Sequence, residues 1–148
     1  MFLFKSKPKP APEEPFVAWS SADFSVGVAR FDQDHKRLAD LLNRIHAALI
    51  QNRDRAQASQ LMDELIQETR FHFFQEEAAL KAASYPGLEA HAAEHQALLQ
   101  EAADLHRQFQ AGTISGLAFP NFLKNWFTTH IKESDRKYSA WLRRHGER

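Results

Sequence analysis

The sequence predicts an all-α fold, an up-down-up-down antiparallel four-helix bundle with an irregular N-terminal arm. Apolar residues recur at spacings of three and four through four long segments, the periodicity of a helix face. The links between those segments are only a few residues long, which forces consecutive helices to run antiparallel. Glycine is scarce, five residues in 148, so little of the chain is available for turns, and no stretch alternates as a strand does.

The opening stretch, residues 1–15, interleaves Pro8, Pro10, Pro12 and Pro15 with Lys5, Lys7 and Lys9, and reads as a flexible, extended tail. Its Phe2-Leu3-Phe4 start is too short for the apolar region of a secretory signal. A single domain is expected over 16–148, a length that buries a core without staples. It begins with an arm from Phe16 to Phe31, aromatic and irregular, interrupted by Ser20, Ser21 and Gly27.

The first helical segment runs from about Asp32 to Gln51, with Leu38, Leu42, Ile45 and Leu49 on the stripe that also holds His35. The second, about Ser59 to Ala82, puts Leu61, Leu65, Thr69, His72, Glu76 and Leu80 in register. The third, about Leu88 to Gln110, is the most regular: His91, His95, Leu98, Ala102, Leu105 and Phe109. The fourth, about Leu117 to Arg143, places Phe119, Leu123, Trp126 and His130 on one face, with Tyr138 and Trp141 beyond. The breaks between them carry turn chemistry: Asn52 to Arg55, Ser84-Tyr85-Pro86-Gly87, and Ala111 to Gly116.

Composition narrows the function classes. Apolar residues make up 43% and charged residues 26%, and no apolar run approaches the ~20 residues of a membrane span. Nineteen basic residues balance nineteen acidic ones, which argues against nucleic acid as a partner. With no cysteine, disulfides, thiolate sites and iron-sulfur clusters are excluded, and a transition metal would need imidazole and carboxylate ligands. A cytoplasmic location is the simplest expectation.

Eight histidines are the anomaly. His35, His72, Glu76, His91, His95 and His130 all occupy stripe positions that should be apolar. Buried without partners, such groups cost several kcal/mol each, roughly, so a cluster must satisfy itself or something between its members. Residues four apart share a helix face, so the pairs His72/Glu76 and His91/His95 can each reach one ion. His46 and His106 each lie eleven residues from a stripe histidine, roughly 16 Å along the axis, too far to join the cluster. His145, in the basic tail, reads as solvated.

These residues resemble the hemerythrin family, single-domain bacterial hemerythrins in particular. The resemblance runs from Trp19 to about Arg144. It rests on Phe31-Asp32-Gln33-Asp34-His35-Lys36, His72-Phe73-Phe74-Gln75-Glu76-Glu77, Tyr85-Pro86 before His91-Ala92-Ala93-Glu94-His95, and Trp126-Phe127-Thr128-Thr129-His130-Ile131 with Asp135. It implies two non-haem iron ions cycling between ferrous and ferric, joined by an oxo or hydroxo bridge. One iron would take His91, His95 and His130, the other His35 and His72, with Glu76 and Asp135 bridging. The second iron is then one ligand short, and the open position implies reversible dioxygen binding for storage, delivery or scavenging rather than catalysis.

Asp135 enters only through that resemblance. It lies five residues after His130, about 140° around an ideal α-helix, and periodicity alone makes it a surface charge unless the helix widens locally. Phe127 and Leu80 stand where relatives often carry leucine and methionine, and both are expected beside the ligand pocket. Oxygen or redox sensing, and oxidase, peroxidase or nitric oxide reductase activity, are the rival functions. The carboxylate-rich oxidases place a glutamate three residues before a histidine, and no histidine here has one. Monomer or homo-oligomer, and a protein recipient of oxygen, stay open; no apolar stripe is expected to be left over for assembly.

Overall fold

The computed structural model describes residues 14–147; no strand occurs among these residues, and the three-four stripes form helices there. In chain order these are α1 (Ser21–Phe24), α2 (Ala29–Ile50), α3 (Arg55–Ala82), α4 (Leu88–Ala111), α5 (Ala118–Thr129), a π-helical turn (His130–Asp135) and α6 (Arg136–Arg144). Helix α2 packs on α3, α3 on α4, α4 on α5, and α5 back on α2, the ring of neighbours that alternating direction and short links produce. The fourth rod is α5, the π turn and α6 in continuity. Most of the proline-lysine tail lies outside the described residues.

Local chemistry sets the ends. Asp54 caps α3 by accepting from the Gln57 amide at 3.0 Å. That helix ends with Ser84 in the left-handed region (φ 52°) and the Tyr85 amide donating to the Leu80 carbonyl, a closure usually given to glycine. Two residues on, a side chain at Gly87 would meet the Tyr85 ring at 2.7 Å, so the turn into α4 needs glycine. Gly112 (φ 73°) ends α4, with the Thr113 amide on the Gln108 carbonyl and its own amide on Phe109.

The arm is fastened near its start and in its middle. Asn43 clasps the Val17 backbone, accepting its N–H at 2.7 Å and donating to its carbonyl at 3.0 Å. Asp32 accepts from Ser25 and from the Val26 amide, which ties the arm to the start of α2. Val17, Phe24, Val26 and Val28 are buried as a result. The segment expected to be irregular therefore contains one short helix, and its last three residues belong to α2.

The core has two halves. In α2 and α4 the apolar positions follow the histidines, Leu38, Leu42 and Ile45 after His35, and Leu98, Ala102 and Phe109 after His95. In α3 and α5 they precede them, Leu61, Met62 and Leu65 before His72, and Phe119 and Leu123 before His130. Antiparallel packing sends all four apolar runs to one end, where each fully buried Leu, Ile or Phe contributes about 1.5–3 kcal/mol. One apolar face is left over after all, contrary to expectation: Phe71 and Phe74 on α3 are 56% and 71% exposed. Among the described residues no helix is long and apolar enough to cross a membrane.

Candidate metal centre

All seven residues singled out as metal ligands are buried and meet at one level of the bundle. Helix α2 contributes His35, α3 contributes His72 and Glu76, α4 contributes His91 and His95, and the π turn contributes His130 and Asp135. Two overlapping groups could each hold a metal ion. One comprises Glu76, His91, His95, His130 and Asp135, the other His35, His72 and Glu76, with donor atoms within 4.8 Å of one another in each. Glu76 belongs to both. Its Oε1 lies 2.5 Å from His91 Nε2 and 3.2 Å from His95 Nε2, and its Oε2 lies 3.2 Å from His72 Nε2. Asp135, a member of the first group, reaches toward the second: Oδ1 is 2.9 Å from His130 Nε2 and 3.1 Å from His91 Nε2, and Oδ2 is 3.3 Å from His35 Nε2.

The π turn explains how Asp135 arrives. The Arg136 amide donates to the Ile131 carbonyl, five residues back, and this wider turn brings side chains five apart round to a common face. A regular α-helix here would send that carboxylate to the surface. Instead Asp135 is 1% exposed.

The donor set suits a cation better than it suits itself. His35 and His72 point Nε2 atoms at each other across 3.0 Å, and His95 and His130 do so across 3.2 Å. Asp135 Oδ1, for all its near neighbours, is a buried oxygen without a hydrogen bond. Lone pairs converging in this way are what a positive ion between them satisfies. Without one, the cluster redistributes protons. Burial would push Glu76 up, but hydrogen bonds from His72, His91 and His95 hold it well below the usual carboxylate range. Burial and the charge of Glu76 would raise Asp135, yet His130 and His91 bring it below its ordinary value. Burial works against protonation of His72 too, but bonds to Asp34 and Glu76 raise it to about 9, and Asp135 and Glu76 raise His91 to about 10. Burial, with His72 charged beside it, takes His35 down to about 4.

Several residues behind the cluster were not legible as part of it. Asp34 Oδ2 accepts from His72 Nδ1 at 2.8 Å and is itself paired with Arg37. Glu94 Oε2 accepts from His130 Nδ1 at 2.7 Å and from Ser134 at 2.6 Å. Glu77 approaches His95 Nδ1 at 3.4 Å. The Tyr138 hydroxyl donates to Glu76 Oε2 at 2.7 Å. Such carboxylates fix which ring nitrogen faces inward and raise its basicity. The signal available was slight, an acidic residue next to a stripe histidine in Asp34-His35 and Glu94-His95, and it misleads: each serves a histidine on another helix. Aromatic walls complete the enclosure, Phe73 stacked on His95 at 3.6 Å and Trp126 on His130 at 4.1 Å between ring centroids.

Of the two expected pocket residues, Phe127 is buried with its ring 6.0 Å from that of His35 and 5.6 Å from that of Phe24. Leu80 is fully buried one turn beyond Glu76 on α3. The outlying histidines have other occupations. His46 stacks on Phe16 of the arm at 4.4 Å, His106 bonds Ser59 at 3.0 Å, and exposed His145 stacks on Trp141.

The hemerythrin HHE cation binding domain family matches residues 26–142. The bacteriohemerythrin of Stenotrophomonas maltophilia is 30% identical over 129 residues, covering 87% of this chain and 83% of its own. That of Methylococcus capsulatus is 30% identical over 127 residues, covering 85% of this chain and 96% of its own. A crystal structure of a wild-type hemerythrin superposes with a TM-score of 0.78 at 30% identity, covering 86% of this chain and 98% of that one. Sequence, frame and the buried histidine-carboxylate cluster agree, and the chain belongs to the hemerythrin family.

Proposed function

We propose that the protein binds dioxygen reversibly at a two-iron centre, for storage, delivery or scavenging. The observation that carries this reading is the uneven split of donors around two shared carboxylates. With Glu76 in both groups and Asp135 reaching to 3.3 Å from His35, three imidazoles (His91, His95, His130) would serve one ion and two (His35, His72) the other. An ion held by fewer ligands than its neighbour keeps a position for a small exogenous molecule. Imidazole and carboxylate ligands without thiolate suit iron. Two ferrous ions would together supply two electrons to dioxygen and recover them on release.

The protein's own residues supply what reversibility requires. Phe31, Phe73, Phe127, Leu38 and Ile131 keep water from the cluster, and a dry site suppresses the proton-assisted loss of reduced oxygen. Asp34 and Glu94 hold the His72 and His130 rings by Nδ1, so that Nε2 faces inward without rearrangement. Tyr138 orients Glu76. The test is to purify the protein in air, count metals per chain, and follow the visible spectrum through reduction and reoxygenation. Two irons, and a charge-transfer band that disappears and returns without net oxygen consumption, are expected. Zinc, or one metal per chain, would overturn the reading, and steady turnover of dioxygen or peroxide would make the protein an enzyme.

A further inference from the structure

The exposed face of α3 is a self-complementary seam. Its outward residues Glu64, Gln67, Phe71, Phe74, Ala78 and Lys81 follow one another at intervals of three, four, three, four and three, the spacing of a continuous helix-packing stripe. All six are exposed, and the stripe faces away from the one that carries His72 and Glu76. Its two halves also pair off about the midpoint between Phe71 and Phe74. Reading inward from the two ends, acid faces base, amide faces alanine, and phenylalanine faces phenylalanine.

We propose that two copies of this chain associate through α3, antiparallel about a two-fold axis passing between His72 and Phe73. Under that symmetry Phe71 meets the second copy's Phe74, Gln67 meets Ala78, and Glu64 meets Lys81, each contact occurring twice. Three observations support a second copy rather than another occupant. Charge complementarity is built into one helix: neither the Glu64 carboxylate nor the Lys81 ammonium has an ion pair or side-chain hydrogen bond among the described residues, and each is the other's counterpart across the axis. Phe71 and Phe74 are the largest exposed apolar side chains among the described residues, and they sit at the centre of the seam, where buried aromatic anchors dominate association. The adjoining groove between α3 and α4, about 430 Å³, is lined by Phe73, Phe74 and half-buried Leu99 together with Arg70, Glu77 and His95, so aromatic and polar groups alternate beside the seam. A second α3 laid along the seam covers that groove.

The test is sedimentation equilibrium of the full-length, metal-loaded chain, with helical content checked for every variant. The wild type is expected to be a dimer at micromolar concentration, and Phe74→Glu a monomer with unchanged helicity. Glu64→Lys sets lysine against lysine at both ends of the seam and raises the dissociation constant about tenfold or more. Lys81→Glu does the same with two acids, and the double variant Glu64→Lys/Lys81→Glu regains wild-type association. A wild type that stays monomeric at submillimolar concentration overturns the proposal. So does a dimer that survives Phe74→Glu, or one in which the single charge reversals change nothing. Because all six positions are exposed, loss of association with retained helix content separates a broken interface from a broken fold.

Discussion

Removing the Tyr138 hydroxyl tests the support beneath the cluster at a single atom. The Tyr138 ring is fully buried and packs edge-on against Phe31 and Tyr85, so Tyr138→Phe keeps its packing. What disappears is the 2.7 Å bond to Glu76 Oε2, a length typical of a hydroxyl on an ionised carboxylate. The two ends stay in the right protonation states near neutrality, since burial and the nearby Asp135 and Glu76 hold the phenol well above 10.0 while three imidazoles hold Glu76 well below 4.5. A hydrogen bond to a charged group contributes about 1.5–3 kcal/mol. Among the described residues, Oε2 has one other hydrogen-bonding or ion-pair partner, His72 Nε2 at 3.2 Å, so little compensation is available. For a chain of this size each kcal/mol moves the midpoint by about 2–4 °C, which gives a fall of about 3–12 °C. Urea unfolding of the metal-free protein is the assay, run in the wild type and in a Glu76→Gln background, where the bond loses its charge and the cost of Tyr138→Phe should drop to about 1 kcal/mol. A loss under about 0.5 kcal/mol, or the same loss in both backgrounds, would refute a charge-assisted bond.

Three further outcomes follow from the same geometry. Phe127→Leu opens space beside His35 and should speed azide and dioxygen binding without unfolding the protein; unchanged kinetics would show that Phe127 does not narrow the pocket. Glu94→Gln weakens the hold on His130 from a half-exposed position, so metal affinity should fall roughly 10–100-fold, measured by competition with a chelator, while helicity stays constant. The metal-free protein should be most stable near pH 6.5. His72 and His91, raised to about 9 and 10, contribute fully below 6.5 and lose that contribution as pH climbs toward those values. His35, lowered to about 4, costs stability as pH falls from 6.5, and the depressed carboxyls of Glu76 and Asp135 lose their contribution lower still. Urea midpoints across pH that rise steadily into the alkaline range would contradict this balance.

The four rods, their order and the inward faces that carry six ligand candidates were legible in the sequence, for one physical reason. A helix converts spacing into direction, so His72 with Glu76 and His91 with His95 had to share faces, and short links had to bring those faces to the same end. Asp135 is different. Its offset of five points away from the core in an α-helix, and only the π turn from His130 to Asp135 turns it inward. Family resemblance supplied it where periodicity did not.

Relations between helices lay beyond the reach of a linear pattern. Asp34 stands beside His35 in the chain yet holds His72, and Glu94 stands beside His95 yet holds His130, because adjacent residues on a helix point apart while neighbouring helices meet. The same holds for Phe71 and Phe74, which flank the buried pair His72 and Phe73 in the chain yet stay exposed. Sequence alone determined which faces turn inward and which residue types gather there. Tertiary packing decided which carboxylate holds which imidazole and which apolar face stays uncovered, since those depend on the rotation and distance of one helix against another.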